Sequence, residues 1–128
     1  MLHLIDRHII RGSVITAMLF VLRESFLNTS EFNALIVKAR ARQDDLLLRK
    51  GADYTRHDVD RLSNFKRNAT SIGLTSLQVW AVYFNKHIDA IMAYVKTGKA
   101  ESEAITGRID DAINYLYLLE GLIEEETK

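Results

Sequence analysis

The sequence predicts an all-α fold of about five helices packed as an oligomeric helical bundle, and three observations carry that expectation. The 128 residues include no proline, so nothing interrupts long helices through a missing backbone donor. Apolar residues recur every three or four positions over most of the chain, which is the period of one helix face. No stretch shows the period-two alternation of a half-buried strand.

The first helix is expected over roughly Leu4 to Ser25, weakened by Gly12. It contains the one candidate membrane segment, Ile9 to Leu22, which is 14 residues long and interrupted by Arg11. Spanning hydrocarbon takes about 20 apolar residues, so a buried or oligomer-facing helix is expected instead. No small-residue cleavage site follows the run, which argues against a secretion signal.

After Asn28-Thr29-Ser30, a second helix should run from Glu31 to about Lys50, with Ser30 as N-cap, Gly51 as C-cap, and Phe32, Leu35, Ile36, Ala39, Leu46 and Leu47 as apolar positions. Residues Gly51 to His57 lack an apolar period and read as a loop. Asp58 is placed to cap a third helix whose Val59, Leu62, Phe65, Ala69 and Ile72 repeat up to Gly73.

Thr75-Ser76-Leu77-Gln78 matches a capping box and should open the fourth helix. Its seam reads Leu77, Trp80, Phe84, Ile88, Ile91 and Val95, ending at Gly98. Ser102 is placed to cap the fifth helix, with Ile105, Ile109, Ala112, Leu116, Leu119 and Ile123 as seam. Tyr115, Leu118 and Leu122 fall outside that seam. A helix apolar on nearly all sides needs more cover than a small bundle supplies, so these three are expected to face another copy.

Composition narrows the function classes. At 48% apolar residues the chain can build a core for one domain without a staple. The division expected is an N-terminal helix over residues 1–28 and a bundle over 29–128. The absence of cysteine removes thiol catalysis, disulfides and thiolate metal sites, and a cytoplasmic location is the default. Net charge is zero, yet residues 38–68 hold nine Lys/Arg against five Asp/Glu and residues 101–128 hold two against eight. That polarity suits an anionic small ligand or head-to-tail contacts better than duplex nucleic acid.

The candidate chemistry gathers in the last third. His87 adjoins the fourth helix's seam and is either a hydrogen-bonded core residue or a base. Lys86 and Asp89, three apart, are a surface ion pair unless Lys86 meets a phosphate. Asp110 and Asp111 diverge by about 100° on a helix, so only one can face a given cleft. Asp110 shares a face with Glu103 and Asn114, and Asp111 with Arg108 and Tyr115. Asp44 or Asp45 with Asp110 or Asp111 could hold Mg²⁺, a cation that takes a few carboxylates plus phosphate oxygens. Glycine-rich phosphate loops, nucleophile elbows and two-histidine metal helices are missing from the sequence.

Five segments carry a resemblance. Lys50-Gly51-Ala52-Asp53-Tyr54, Arg61-Leu62-Ser63-Asn64-Phe65-Lys66, Tyr83-Phe84-Asn85-Lys86-His87, Ser102-Glu103 and Arg108-Ile109-Asp110-Asp111-Ala112-Ile113-Asn114-Tyr115-Leu116 resemble small helical proteins of bacteriophages, over about residues 31–125. Those proteins more distantly resemble the nucleotide-modification-associated domain and the all-α NTP pyrophosphohydrolases of the MazG and dimeric dUTPase type. Asp111 to Leu116 fits the hydrolase pattern, whereas Arg108 stands where the hydrolases carry an acid. Gln43-Asp44-Asp45 stands in place of a spaced glutamate pair.

The resemblance implies an oligomeric nucleotide-handling protein in the cytoplasm of a bacterial host. If catalytic, it would be a Mg²⁺-dependent pyrophosphohydrolase of a (d)NTP. Metal would then fall to Asp111 with Asp44 or Asp45, and phosphate charge to Lys86 and Arg61. Water or ligand orientation would fall to His87 or Glu103, and Asp53-Tyr54 would cover the base, with Asn114 also in the nucleotide set. The alternative is a non-catalytic oligomer that binds a nucleotide or a host protein through the same residues.

Overall fold

The computed structural model describes residues 26–55 and 59–128. Four helices run in order through them: α1 (Thr29–Thr55), α2 (Ser63–Ile72), α3 (Ser76–Thr97) and α4 (Ile105–Glu126), with no strand among the described residues. The expected helix at Leu4 to Ser25, its apolar run Ile9 to Leu22 and the expected cap Asp58 lie outside the described residues. None of the described helices is long and apolar enough to cross a membrane. The chain divides into two compact units, residues 1–37 and 38–128. The core and the site described below belong to the second.

The helix ends follow local chemistry, with corrections. Asn28, not Ser30, caps α1: Glu31 N donates to Asn28 Oδ1 (3.0 Å) and Asn28 N donates to Glu31 Oε2 (2.8 Å). The reason is spacing, because a capping box needs the longer Glu or Gln side chain three residues on: Asn28 has Glu31 there, whereas Ser30 has the shorter Asn33. Gly51 does not end α1, which continues to Thr55 through the stretch expected to be a loop.

The glycine serves a close approach instead. A Cβ at Gly51 would lie 3.0 Å from Nε of Arg61, so the missing side chain lets that guanidinium lie against α1. Helix α2 starts at Ser63, after a turn in which Leu62 N donates to Asp60 Oδ1 (2.9 Å). Val59, expected in the core, is fully exposed, and Ile72 is exposed as well.

The remaining helix ends are simpler. Thr75 and Gln78 form the expected capping box on α3. Gly73 and Gly98, at φ 70° and 69°, end α2 and α3 in the left-handed region that glycine enters without strain. Ser102 does not cap α4; its hydroxyl accepts from Arg108 Nη2 (3.2 Å).

Leu62, Phe65, Ala69, Val79 and Leu122 form the core, with Leu77, Trp80, Tyr83, Tyr115 and Leu118 packed against it. Phe65 meets the Tyr115 ring edge-on at 6.2 Å, and Trp80 Nε1 donates to the Tyr115 carbonyl at 2.6 Å. Trp80 reaches Tyr115 while His87, further along α3, reaches Asp111, earlier in α4, so the two helices run antiparallel.

Leu77, Trp80 and Ala112 of the expected seams do pack inward, but the most buried faces are rotated from those the apolar pattern suggested. On α3 the most buried side chains are Val79 (2% exposed) and His87 (3%), while Val95 is exposed. On α4 the buried residues are Asp110, Ala112, Asn114 and Leu122, whereas Ile109, Leu116 and Ile123 are exposed. Of Tyr115, Leu118 and Leu122, expected to face another copy, Leu122 belongs to the core and the other two, partly buried, pack against it. Consecutive helical positions differ by about 100°, so Leu122 inward puts Ile123 outward.

Candidate functional site

A cleft opens where the second half of α1, the start of α2, the middle of α3 and the middle of α4 meet. It encloses about 630 Å³ when the solvent space at its open mouth is counted. Leu46, Leu47, Phe65 and Leu118 form an apolar wall, and Lys50, Arg61 and Lys86 bring positive charge.

Helical spacing places these groups. Lys50 lies one turn beyond Leu46 and Leu47 on α1, and its Nζ reaches Asp111 Oδ1 on α4 at 2.9 Å. Arg61 precedes α2, passes over Gly51 and donates from Nη2 to the Leu47 carbonyl at 3.4 Å. Among the described residues neither Arg61 nor Lys86 has a carboxylate partner. Lys86 does not pair with Asp89. Asn64 is held by Arg67 and Asn68, and Asn68 in turn donates to Tyr83 (2.8 Å).

The floor is polar and under-satisfied. His87 is 3% exposed, and neither ring nitrogen has a hydrogen bond; the nearest charge is Asp111, 3.7 Å from Nδ1 to Oδ2. Burial pushes the His87 pKa below its ordinary value. Asp111 opposes that shift, and Lys86, Arg108 and Lys50 add to it. Asn114, 5% exposed, donates to the Gln43 carbonyl, but its Oδ1 has no partner. Buried polar atoms left unpaired cost about 1–3 kcal/mol each, so a ligand that satisfies them gains that much.

Of the residues nominated from sequence, the fold brings Arg61, Lys86, His87, Asp111 and Asn114 to this cleft. Others lie elsewhere. Asp44 is exposed on α1, and Asp45 is bound by Arg49 at 2.6 Å. Glu103 is bound by Arg108, also at 2.6 Å, away from the cleft. Asp53 is exposed, and the side chain of Tyr54 lies outside the described part of the structure.

A neighbouring shallow recess holds Asp45, Glu103, Asp110 and Asp111 together, but each is paired: Asp110 takes Arg42 Nε at 2.8 Å and Gln43 Nε2 at 3.4 Å. No group of three or more histidine and acidic side chains among the described residues is placed to hold a metal ion. Among the described residues Asp111 is the one carboxylate on the cleft, and it is held by Lys50, so this donor set does not fit a resident Mg²⁺.

Sequence reasoning missed Lys50 and the walls Leu46, Leu47 and Asn64 as site residues. No local signal marks them, because each acts through a contact with a distant helix. The buried clasp of Asp110 by Arg42 and Gln43 was equally silent. Compared with family models, curated proteins and solved structures, the chain matches none. A functional reading therefore rests on the cleft.

Proposed function

We propose that the chain binds a small phosphate-bearing ligand of the nucleotide class in this cleft, as a binder rather than a metal-dependent hydrolase. One observation carries the reading: His87 and Asn114, with buried, unpartnered atoms, line one cleft with Arg61 and Lys86, two cations with no carboxylate partner among the described residues. A guanidinium suits a phosphate because its donors form a planar fork, and a lysine adds a mobile point charge. The apolar wall suits a flat ring, and the inner polar atoms suit that ring's own donors and acceptors.

The sequence resemblance to small phage proteins points the same way, toward a nucleotide handled in the cytoplasm of a bacterial host. Asp111, Asn114 and Tyr115, the part of the hydrolase-like motif the chain retains, all line the cleft. Arg108, where that motif has an acid, binds Glu103 instead of adding a carboxylate.

Hydrolysis is the second reading, and Asp111 beside His87 favours it by placing a carboxylate next to an imidazole. Thermal shift across common NTPs and dNTPs, with pyrophosphate release measured in parallel and with Mg²⁺ present or absent, separates the two. A binder shows a raised melting temperature without turnover, because a ligand that binds only the folded state stabilises it. Turnover abolished by Asp111→Asn would establish the hydrolase, and unchanged melting throughout would remove both readings.

A further inference from the structure

Two apolar stripes that the core takes up only in part share one pattern; Leu77 and Trp80 pack against the core and Ala112 is buried, while the others flank them. On α3, Leu77, Trp80, Phe84, Ile88, Ile91 and Val95 are spaced three or four apart, and on α4 so are Ile105, Ile109, Ala112, Leu116, Leu119 and Ile123. Alternating three- and four-residue steps are the seam of helices that pack side by side in a bundle. What these seams leave exposed is Val95 (72%) at the end of α3 and Ile109 (41%), Leu116 (50%) and Ile123 (47%) along α4.

Helices α3 and α4 are 22 residues each and antiparallel, so the stripes form one face. At 1.5 Å per residue and about 10 Å per helix, it measures roughly 33 by 20 Å, on the order of 650 Å². A specific interface buries about 800 Å² per partner and a small one about 600 Å², so a contact here would have to use nearly the whole face.

Charge at its two ends selects the partner. At the end where α3 finishes, Lys96 and Lys99 outnumber Glu101 and have no carboxylate partner among the described residues. At the end where α4 finishes stand Glu120, Glu124 and Glu126, with Glu125 held by Lys66. A face that is apolar along its length, cationic at one end and anionic at the other complements itself when turned end for end.

We infer that this face docks a second copy of the chain about a two-fold axis perpendicular to the helices. Helix α3 packs antiparallel on its partner's α3, and α4 on its partner's α4, giving a four-helix bundle. A two-fold axis parallel to the helices would instead set acidic end on acidic end. Leu116, at the midpoint of α4, lies close to the axis. Asn114 on the cleft and Leu116 on the face are about 200° apart around α4, so docking leaves the cleft open.

The test uses the full chain in sedimentation at micromolar concentration. A dimer is expected, weakened roughly tenfold or more by Leu116→Glu, which puts a charge into the apolar contact. Because the sequence has no cysteine, Leu116→Cys is the only thiol present and should link two copies through a short bismaleimide, whatever the fate of the glutamate variant. Lys96→Glu with Lys99→Glu should weaken the dimer, and adding Glu120→Lys with Glu124→Lys should restore it. A monomeric wild type would overturn the inference by showing the face covered within one chain, as would a Leu116→Cys variant that fails to cross-link. Cross-linking without charge-swap rescue would overturn the end-for-end arrangement.

Discussion

The imidazole of His87 lies 3.7 Å from the carboxylate of Asp111, yet its dominant influence is burial, which drives its pKa down. Asp111 is already engaged by Lys50, and Lys86 and Arg108 add further positive charge. The folded histidine therefore resists protonation, and both its ring nitrogens are buried without a hydrogen-bond partner.

That arrangement makes stability depend on pH with a definite sign. Below its ordinary pKa of about 6.5 the unfolded His87 takes up a proton that the folded one resists, so stability falls as pH drops through that region and levels out above it. Melting temperature should fall more in the wild type than in His87→Gln between about pH 7.5 and about pH 5.5. An equal fall in both would mean His87 is charged in the folded protein.

Gly51 and Arg61 offer a separation of stability from binding. Alanine in a helix interior is ordinarily favoured over glycine by roughly 0.5–1 kcal/mol. At Gly51 the new methyl would sit 3.0 Å from Arg61 Nε and push a flexible side chain out of the cleft. Gly51→Ala should thus leave the melting temperature unchanged or raised while weakening nucleotide binding severalfold. Titration of the variant alongside Arg61→Ala checks this, and full binding by Gly51→Ala would dissociate the glycine from the site.

The rotated faces of α3 and α4 show how far the sequence was legible. Helix type, the Thr75 box, Gly98 and the Leu62, Phe65, Ala69 stripe follow from local rules, and they stand. The inward face did not, because apolarity was used to choose it. His87, Asp110 and Asn114 are polar yet buried, their burial arising from residues 24 or more positions away, as with Asp110 and Arg42. Five of the site residues were nameable for their charge or polarity. Lys50 and the leucine wall were not, since only the tertiary approach of α1 gives them a role.

Adjacent positions on α4 check that rotation. Leu122 is 3% exposed, so Leu122→Ala should cost about 2–5 kcal/mol through lost transfer energy and a cavity. Ile123→Ala, on the outer face, should lower the unfolding free energy by less at concentrations where the chain is monomeric. Comparable losses at low concentration, read from denaturant midpoints, would contradict the assigned face.

Asp60 tests the start of α2. The hydrogen bond from Lys66 is the main reason its carboxyl pKa lies below the ordinary value, helped by the bond from Leu62 N. Its contribution is present above the ordinary carboxylate range and is lost as pH falls through the depressed value. Asp60→Asn keeps an oxygen for Leu62 and loses the ion pair, and should cost under about 1 kcal/mol. Asp60→Ala removes the bond from Leu62 N as well and should cost about 1 kcal/mol more. Denaturant titrations of the two variants give the difference directly, and equal losses would show that the Leu62 N–Asp60 bond contributes nothing.

Calorimetric titration of a nucleoside triphosphate in the presence of EDTA tests the central claim most directly. If the cleft binds phosphate through its own cations, the wild type gives a saturable heat without metal. Arg61→Ala combined with Lys86→Ala then weakens binding on the order of a hundredfold or more, as expected for two charge-assisted contacts. Binding that appears only when Mg²⁺ is restored, or that survives loss of both cations, would contradict the account.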